Sequence, residues 1–255
     1  MSNLKNKVVL LTGVGKGIGR SIFEDCLKKG AYVYAITRSK KNIENFKNLS
    51  KFRDRYQIFF FDVNNIQNIK KIMAKSVKDK NMINCLINNA GIRQRQKFIN
   101  ISKKELLDIF KTNFFSIFLI SQLYIKYLIK YKIKKSSVVN LGSIVGNKGF
   151  TDLSGYASTK TALIGLTKCL AVEYANKNYR FNIVSPGFTK TSYYNDFKKN
   201  KRLYDWTKSK IPMKRWGNTS EISSLVNFLI SDRSEYLTGQ EIFIDGGWTV
   251  WKKIL

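Results

Sequence analysis

Short apolar runs alternate with longer segments of helical periodicity along almost the whole chain. The runs are rich in β-branched and aromatic residues, and their near-continuous hydrophobicity is typical of strands in a sheet covered on both faces. The predicted strands are Val8–Leu11, Tyr32–Ile36, Ile58–Phe61, Cys85–Ile87, Val138–Leu141, Phe181–Val184 and Ile242–Ile244. The predicted helices between them are, approximately, Gly17–Lys29, Ile66–Lys78, Lys103–Lys130, Tyr156–Asn176 and Thr219–Ser231.

This alternation predicts the fold class. Strands that alternate with helices pair in parallel through right-handed crossover connections. Two prolines and the lack of any Ser- or Gly-rich stretch leave no obvious linker, so we expect one domain over residues 1–255. The prediction is an α/β fold: a single-domain, Rossmann-like, doubly wound parallel sheet flanked by helices on both faces. Ligands of such sheets bind at the carboxyl ends of the strands.

The charge of the chain is strongly unbalanced. Its 46 Lys and Arg residues against 17 Asp and Glu residues give a formal net charge of +29, which invites nucleic acid or an anionic membrane as a partner. However, the lysines are scattered over nearly every segment, and Lys, Asn, Ile, Phe and Tyr are abundant together, as an AT-rich coding sequence would produce. We therefore expect no specific nucleic-acid partner, although the charge would attract an anionic substrate.

The most apolar long segment, Phe114–Ile129, is interrupted by Ser116, Ser121, Gln122 and Lys126. A helix that spans a bilayer needs about 20 predominantly apolar residues. The N-terminal residues also lack a cleavage-site pattern. We therefore predict no membrane association.

Cysteine and histidine usage narrows the chemistry. Cys26, Cys85 and Cys169 are far apart and form no Cys-x-x-Cys pair, which favours reduced thiols and a cytoplasmic location. The chain has no histidine, the commonest general base and metal ligand. We expect no metal site, and acid–base chemistry must use Tyr, Lys, Cys or a carboxylate.

Tyr156 and Lys160 lie four residues apart in a predicted helix, thirteen residues after Ser143. Positions i and i+4 share a helix face, so the Lys160 ammonium can lie beside the phenol. A phenol with a reference pKa of about 10 is a poor catalyst at neutral pH, and a neighbouring cation lowers that pKa. Ser143, at a strand end, can hold a substrate oxygen. A lone Tyr-x-x-x-Lys is more often an exposed pair, but the remaining motifs favour catalysis.

The first strand runs into a glycine-rich turn, Thr12-Gly13-Val14-Gly15-Lys16-Gly17-Ile18-Gly19, and a helix follows. Glycines there let the backbone approach a pyrophosphate, whose charge is stabilised by the helix N-terminus. The candidate phosphate-binding residues are Gly13, Gly15, Lys16, Gly17, Ile18 and Gly19.

The end of the second strand indicates which dinucleotide is preferred. Sites that prefer NAD usually carry an acidic residue there, which binds the ribose diol. In this chain the strand ends Ile36-Thr37-Arg38-Ser39, without an acid. Arg38 and Lys16 place two cations where a 2′-phosphate would lie, and Ser39 is a further candidate contact. We therefore favour NADP(H) over NAD(H).

Over essentially its whole length the chain resembles a short-chain dehydrogenase/reductase of the roughly 250-residue type. The matching motifs, in order, are Thr12-Gly13-x-x-x-Gly17-Ile18-Gly19, Asp62-Val63, Asn88-Asn89-Ala90-Gly91, Asn113, Ser143, Tyr156-x-x-x-Lys160 and Pro186-Gly187. In this order and spacing they are highly specific, and no catalytic position departs from the pattern.

The resemblance implies a role for each catalytic position. Asn113 would anchor a helical kink and a proton-relay water. Ser143 would hold the substrate oxygen and Tyr156 would transfer the proton. Lys160 would bind the nicotinamide ribose and lower the pKa of Tyr156. These roles describe a hydride-transfer enzyme that interconverts a carbonyl and a secondary alcohol.

The resemblance also implies two sets of cofactor contacts besides Tyr156 and Lys160. The adenosine side would be lined by Asp62, Val63, Asn89, Ala90 and Gly91. The nicotinamide side would be lined by Pro186, Gly187, Thr189 and Thr191.

The substrate is less determined. Arg93 or Arg95, after the Asn-Asn-Ala-Gly motif, could clamp a carboxylate, and residues 188–216 are expected to form a mobile lid. The chain is similar both to gluconate or deoxygluconate dehydrogenases, which favours a sugar acid or another small hydroxy or keto compound, and to 3-oxoacyl-acyl-carrier-protein reductases, the alternative. A non-catalytic nucleotide sensor or polyanion-binding protein is a remote third reading. The family resemblance, with apolar helix surfaces, predicts a homotetramer.

Overall fold

The computed structural model describes residues 3–43 and 49–250, so the ends of the expected domain lie outside the described residues. Seven parallel strands form one sheet in the order β3-β2-β1-β4-β5-β6-β9. A second sheet holds only β7 and β8. The strands are β1 Val8–Thr12, β2 Tyr32–Thr37, β3 Tyr56–Phe60, β4 Cys85–Asn88, β5 Ser136–Leu141, β6 Tyr179–Pro186, β7 Thr189–Lys190, β8 Gly217–Asn218 and β9 Glu241–Ile244.

Helices cover both faces of the large sheet. They are α1 Gly17–Lys28, α2 Ile66–Lys78, α3 Lys103–Phe110, α4 Ser116–Lys130, α5 Ser154–Tyr174, α6 Ser192–Lys199, α7 Lys201–Lys210 and α8 Thr219–Ile230. On one face, α1 and α8 pack against the strands in a single buried cluster that includes Phe23 and Val226. On the other, α2 and α4 bury Ile72 and Tyr124. The predicted doubly wound, single-domain α/β fold is confirmed.

The strand order reverses beside β1, which pairs with β2 on one side and β4 on the other. The chain after β1 crosses towards one edge of the sheet, and the chain after β4 crosses towards the other. In open parallel sheets this switch point leaves a crevice beyond the carboxyl ends of the strands. The glycine-rich turn after β1 and the Asn-Asn-Ala-Gly segment after β4 therefore meet at one place.

The predicted helix Lys103–Lys130 is interrupted. A π-helical turn over Lys111–Phe115 separates α3 from α4. Such turns insert a residue into the helical ladder and occur frequently at functional sites. Asn113 lies within this turn, so the interruption displaces that residue from a regular helical position.

The expected lid, residues 188–216, has a defined base. The parallel pair of β7 and β8 joins Thr189 to Gly217 and Lys190 to Asn218. Between the two strands lie α6 and α7, helices that the hydrophobic pattern did not predict. Trp216 is 1% exposed and packs with Phe197 and Ile211 in a small core of the lid segment itself. The segment thus packs as a unit attached at its base, while its mobility stays a prediction.

By length and composition alone, one helical stretch of the described chain, Lys103–Lys130, could cross a membrane. Its most apolar window has a mean hydropathy of 1.3, and a third of that window is buried. The buried face of α4 packs against the sheet through Ile120, Tyr124 and Leu128. The exposed face carries Phe118 and Leu119, each 43% exposed. The stretch is therefore a helix of the core with a second apolar face, and the absence of membrane association stays a prediction.

Candidate active site

The glycine-rich turn after β1 is packed so tightly that Gly13 and Gly19 leave no room for a side chain. Gly13 has a φ of +77°, and a Cβ atom there would lie 2.8 Å from the Cα of Ala90. A Cβ on Gly19 would lie 2.1 Å from the carbonyl oxygen of Gly13. The Asn89 amide donates to the carbonyl oxygens of Thr12 and Gly13, at 3.1 and 2.9 Å. The turn is thereby held as a backbone cradle at the start of α1, which fits a dinucleotide pyrophosphate.

A cleft of about 1060 Å³ opens from this turn along the carboxyl ends of the strands. Most of the residues expected to hold the cofactor line it: Gly13, Gly15, Lys16, Gly17, Ile18, Gly19, Arg38, Asp62, Val63, Asn89, Ala90, Gly91, Tyr156, Pro186, Gly187, Thr189 and Thr191. Lys160 instead lines an adjoining pocket of about 170 Å³, together with Tyr156. Ser39 lines neither, and its candidate role has no support in this geometry.

The charged side chains at the glycine-turn end of the cleft differ in sign and in hydrogen bonding. Lys16 and Arg38 are exposed and line the cleft. The Asp62 carboxylate accepts hydrogen bonds from the backbone and side chain of Asn64, at 2.9 and 2.7 Å. Asp62 therefore shapes the turn after β3, while Lys16 and Arg38 place two exposed cations in the lining at this end of the cleft.

Asn113 joins three elements of the site. It is fully buried, and its Oδ1 accepts a 2.8 Å hydrogen bond from the backbone N–H of Ile92. Its Nδ2 donates to the Ile92 carbonyl at 2.8 Å and lies 3.4 Å from the hydroxyl of Thr159 on α5. The π-helical turn thus fastens the loop after β4 beside the helix that carries Tyr156.

Ser143 and Tyr156 meet at the other end of the cleft. Ser143 begins a short 3-10 turn after β5, and its hydroxyl accepts from the backbone N–H of Val145 at 3.3 Å. The same side chain is hydrogen-bonded to Tyr156. The two hydroxyls therefore face one point, where an oxygen atom of a ligand could contact both.

The pKa of Tyr156 runs opposite to the expectation. Burial raises the pKa of this phenol, and the charge of Arg93 and the hydrogen bond from Ser143 offset only part of the rise. The Lys160 ammonium is directed to the Leu141 carbonyl, to which it donates a 2.6 Å hydrogen bond. Burial also lowers the pKa of Lys160 to about 8. Lys160 is not among the groups that lower the phenol pKa, and desolvation outweighs the charge of Arg93.

Arg93 and Arg95 both line the cleft, but their surroundings differ. The Nε atom of Arg95 lies 4.0 Å from the Asp152 carboxylate, and the backbone N–H of Gln96 donates to the Asp152 carbonyl at 2.8 Å. Arg93 lies close enough to Tyr156 for its charge to lower the phenol pKa. Of the two, only Arg93 is coupled to the catalytic candidate, and Arg95 joins the loop after β4 to residue 152.

Three residues that were not among the candidate site residues line the same cleft. Arg202 and Trp206 reach it from α7, and Phe150 reaches it from the loop before α5. Arg202 and Trp206 lie within the expected lid, but nothing local shows which face of α7 turns inward, and no sequence signal indicated Phe150. Over residues 3–43 and 49–250, no three His, Cys, Asp or Glu side chains cluster as metal ligands.

Known proteins resemble this chain over nearly its whole length. A protein-family model described as enoyl-(acyl carrier protein) reductase matches residues 13–249. The 3-oxoacyl-[acyl-carrier-protein] reductase of Buchnera aphidicola subsp. Schizaphis graminum is 34% identical over 247 residues, which are 96% of this chain and 98% of that protein.

Solved structures share the fold. A 4-hydroxyisoleucine dehydrogenase mutant complexed with NADH and succinate is 30% identical, with a TM-score of 0.89 over 97% of this chain and all of that one. A gluconate 5-dehydrogenase from Burkholderia cenocepacia, in complex with NADP and tartrate, has a TM-score of 0.89 over 98% of each chain. At 24% identity, that likeness shows the fold alone.

The similarity and the geometry agree on the kind of protein. The family model spans the glycine turn, the strand ends and the helix that carries Tyr156 and Lys160. The chain therefore belongs to the short-chain dehydrogenase/reductase family and is an oxidoreductase that acts on CH–OH or C=O groups.

Proposed function

We propose that the protein interconverts a carbonyl and a secondary alcohol by hydride transfer with NADP(H), and that Tyr156 gives or takes the proton. One observation carries this proposal. Ser143 and Tyr156 share a hydrogen bond at one end of a cleft whose other end is the glycine turn flanked by Lys16 and Arg38. A dinucleotide with its pyrophosphate at the turn would extend along the cleft towards the two hydroxyls.

The residues present fit such a cofactor. The backbone at Gly13 and Gly19 leaves no room for side chains and so allows close approach of a pyrophosphate. Pro186 and Gly187 line the same cleft at the carboxyl end of β6, on the side expected to hold the nicotinamide. The bound nicotinamide supplies or accepts the hydride. Because Asn89 and Asn113 hold the surrounding loops by hydrogen bonds, the cradle is formed by the chain itself.

Proton transfer is assigned to Tyr156. A raised pKa keeps the phenol protonated at neutral pH, which suits an acid that protonates the carbonyl oxygen during reduction. Ser143 holds the same oxygen by a second hydrogen bond and orients it. Lys160 lines the smaller adjoining pocket together with Tyr156. Asn113 holds the loop after β4 through its hydrogen bond to the Ile92 carbonyl. In the oxidative direction the same phenol must lose its proton, so the nearby positive charges become more important.

The preference for NADP(H) rests on charge. Lys16 and Arg38 are exposed at the turn end of the cleft, where they can contact a 2′-phosphate. The relatives differ in their bound cofactors, NADH in one structure and NADP in the other. The proposal therefore depends on the two cations of this chain and on the lack of an acid after β2.

The substrate is proposed to be a small hydroxy or oxo compound with an anionic group, such as a sugar acid. Arg93 beside Tyr156 supports this, because a guanidinium near the reacting oxygen can bind a carboxylate of the same molecule. The 30% identical relative was crystallised with succinate, a carboxylate ligand.

Reduction of a 3-oxoacyl group on an acyl carrier protein is the second candidate. The observation that favours it is the 34% identity to the Buchnera reductase over 96% of the chain. Its substrate would bring an acidic carrier protein to the cleft mouth, whereas a sugar acid would bind without one.

A panel of carbonyl compounds with NADPH tests both candidates and the remote alternative of a nucleotide sensor. Sugar acids, ketoses and acetoacetyl thioesters are offered, and the oxidation of NADPH is followed. Turnover of one class that disappears in Tyr156→Phe supports the enzyme and identifies the substrate class. NADPH binding without turnover of any compound would favour the sensor.

Further proposals concern the oligomeric state, the cellular location and the partners of the protein. The exposed apolar faces of α4 and α5, which carry Phe118, Leu119 and Val172, support a homotetramer. Cys26 and Cys85 are buried free thiols, which fits a reducing, cytoplasmic location. We also propose that no specific nucleic acid or membrane is a partner, since the lysines remain scattered.

A further inference from the structure

The Ser143 turn, residues 142–147, is attached to α5 by a side chain of that helix. Within the turn, the backbone N–H of Gly146 donates to the Ser143 carbonyl at 2.9 Å. The hydroxyl of Thr161 on α5 donates to the Gly146 carbonyl at 2.7 Å. The middle of the turn is therefore tied to the helix that carries the proposed proton donor.

A second attachment of the Ser143 turn is made by Glu241, the first residue of β9. One carboxylate oxygen of Glu241 accepts a 2.7 Å hydrogen bond from the side-chain amide of Asn147, at the end of the turn. The other oxygen accepts a 2.5 Å hydrogen bond from the hydroxyl of Ser185 on β6. A single carboxylate therefore joins the end of the turn to the sheet.

The Ser185 hydroxyl also contacts the beginning of the turn. Ser185 is fully buried, and a Cβ atom on Gly142 would lie 2.5 Å from its Oγ atom. The backbone N–H of Gly142 donates to the Val184 carbonyl at 2.7 Å, which keeps the backbone close to that hydroxyl. Because the hydrogen bond to Glu241 orients the Ser185 side chain, Glu241 acts on both ends of the turn.

The backbone of β9 does not need this carboxylate. Residue 241 is paired with Ile183 in the parallel ladder between β6 and β9. The backbone N–H of Ile183 donates to the Gln240 carbonyl at 2.9 Å. Backbone hydrogen bonds thus hold the strand, and the carboxylate of Glu241 is left to bind side chains.

We propose that Glu241 is a positioning residue for the reaction, because its carboxylate holds both ends of the Ser143 turn and so fixes the Ser143 hydroxyl against Tyr156. Glu241 lies outside the lining of the cleft and acts only through Ser143. The role rests on the proposed function, in which Ser143 and Tyr156 hold one substrate oxygen. A small displacement of a group that orients the reacting oxygen lowers the rate strongly.

A double-mutant cycle separates positioning from general stability. Glu241→Ala should lower kcat/KM for the substrate found in the carbonyl panel by about ten- to a hundredfold. The affinity for NADPH, measured by calorimetry, should change little. In a Ser143→Ala background the same substitution should have almost no further effect on kcat/KM, because the residue through which Glu241 acts is already lost. Equal losses of kcat/KM in both backgrounds would overturn the proposal.

Two further variants are matched to Glu241→Ala. Glu241→Gln should keep most of the turnover, because a serine hydroxyl and an asparagine amide can each accept a hydrogen bond as well as donate one. Turnover as low as that of Glu241→Ala would contradict the hydrogen-bonding role. Glu235→Ala removes a carboxylate that pairs with Lys135 at 2.8 Å, at the amino end of β5 and so at the other end of that strand from Ser143. Turnover in Glu235→Ala should be unchanged, and a loss like that of Glu241→Ala would count against a specific role.

Crystal structures of the wild type and of Glu241→Ala test the positioning without any turnover. The hydrogen bond between Ser143 and Tyr156, present in the wild type, should be broken in the variant. An unchanged Ser143 turn would overturn the positioning role even if the protein reduces carbonyl compounds. A displaced Ser143 in a protein that reduces none of them would support the positioning of Ser143 by Glu241 and contradict the proposed function alone.

Discussion

The ammonium nitrogen of Lys160 lies 5.7 Å from the centre of the Tyr156 ring, one helical turn away on the same face of α5. Lys160 is only 5% exposed, and its ammonium donates to the Leu141 carbonyl. The lysine therefore carries its charge in a desolvated place, close to the phenol that is proposed to move the proton. The charge of the site therefore depends on whether Lys160 is protonated.

The pH dependence of activity should reveal the protonation state of Lys160. The pKa of Lys160 is lowered to about 8, so kcat/KM for carbonyl reduction should fall on the alkaline side with an apparent pKa near 8. Lys160→Arg should move this limb to higher pH, because a guanidinium stays charged. If activity falls at the same alkaline pH in the wild type and in Lys160→Arg, a group other than Lys160 is responsible for the fall.

Stability should respond to the same group. The native pKa of Lys160, about 8, lies below the ordinary value of 10.5, so the unfolded chain binds more protons between these two values. The free energy of unfolding contributed by Lys160 therefore rises with pH across this window, and the full cost of the buried charge is present below it. Urea unfolding at pH 7.5 and pH 10 should show that the advantage of Lys160→Met over wild type shrinks at the higher pH. A constant difference would contradict the burial argument.

Removal of the phenolic hydroxyl tests the proton transfer. Tyr156→Phe should lower turnover by several orders of magnitude, since general acid catalysis alone contributes roughly 10²–10⁴-fold. NADPH affinity should change little, because the glycine turn and its cations remain. Turnover is measured by NADPH oxidation and affinity by calorimetry, and near-normal turnover would remove Tyr156 from its role.

Cofactor preference should depend on Arg38. A well-formed charge-assisted contact to the 2′-phosphate is worth about 1.5–3 kcal/mol. Arg38→Asp should therefore weaken NADPH binding by roughly ten- to a hundredfold and favour NADH. Calorimetric titration with both cofactors measures this, and equally tight binding of NADH and NADPH to the wild type would refute the preference.

The glycine cradle should not tolerate a single methyl group at Gly19. Gly19→Ala places a Cβ atom 2.1 Å from the Gly13 carbonyl, so the turn must distort and dinucleotide binding should be lost or weakened at least tenfold. Gly149→Ala is the matched control, because nothing lies within 4 Å of a Cβ there. Cofactor titration and thermal unfolding of both variants separate loss of the cradle from loss of the fold.

Assembly should depend on the exposed face of α4. A lysine in place of Phe118 puts a charge into the proposed interface, so Phe118→Lys should sediment as a smaller species than the wild type, which is proposed to be a tetramer. Met82→Lys is a control of similar exposure, 44% against 43%, placed between α2 and β4. The wild-type assembly should also weaken at low ionic strength, where repulsion between highly charged subunits is least screened. A wild-type monomer at micromolar concentration in physiological salt would disprove the tetramer.

The local hydrophobic pattern was sufficient to predict the strands and helices of the large sheet. The strands at Val8 and Cys85 and the helix at Ile66 were predicted to within a few residues, because buried parallel strands are continuously apolar and amphipathic helices repeat every 3.6 residues. The positions of Ser143, Tyr156 and the glycine turn followed from motif spacing. Chain order at the strand ends then brings these motifs to one edge of the sheet, which is a consequence of parallel topology.

The details of the site needed the tertiary structure. The family resemblance implied a kink at Asn113, but local periodicity does not show it, and the hydrogen bonds that Asn113 makes to Ile92 join two separate segments. The direction of the Tyr156 pKa depends on burial by the folded chain. The placement of Arg202 depends on how α7 packs over the cleft.

The sequence by itself determined the strands, the helices of the large sheet and the order of the motifs, because these depend on residues near one another in the chain. Only the tertiary structure decided which cations line the cleft and which titratable groups are desolvated. Arg93 and Arg202 are more than a hundred residues apart, and their convergence depends on packing between segments. Charge and pKa depend on distance and burial in space, and both are properties of the folded chain.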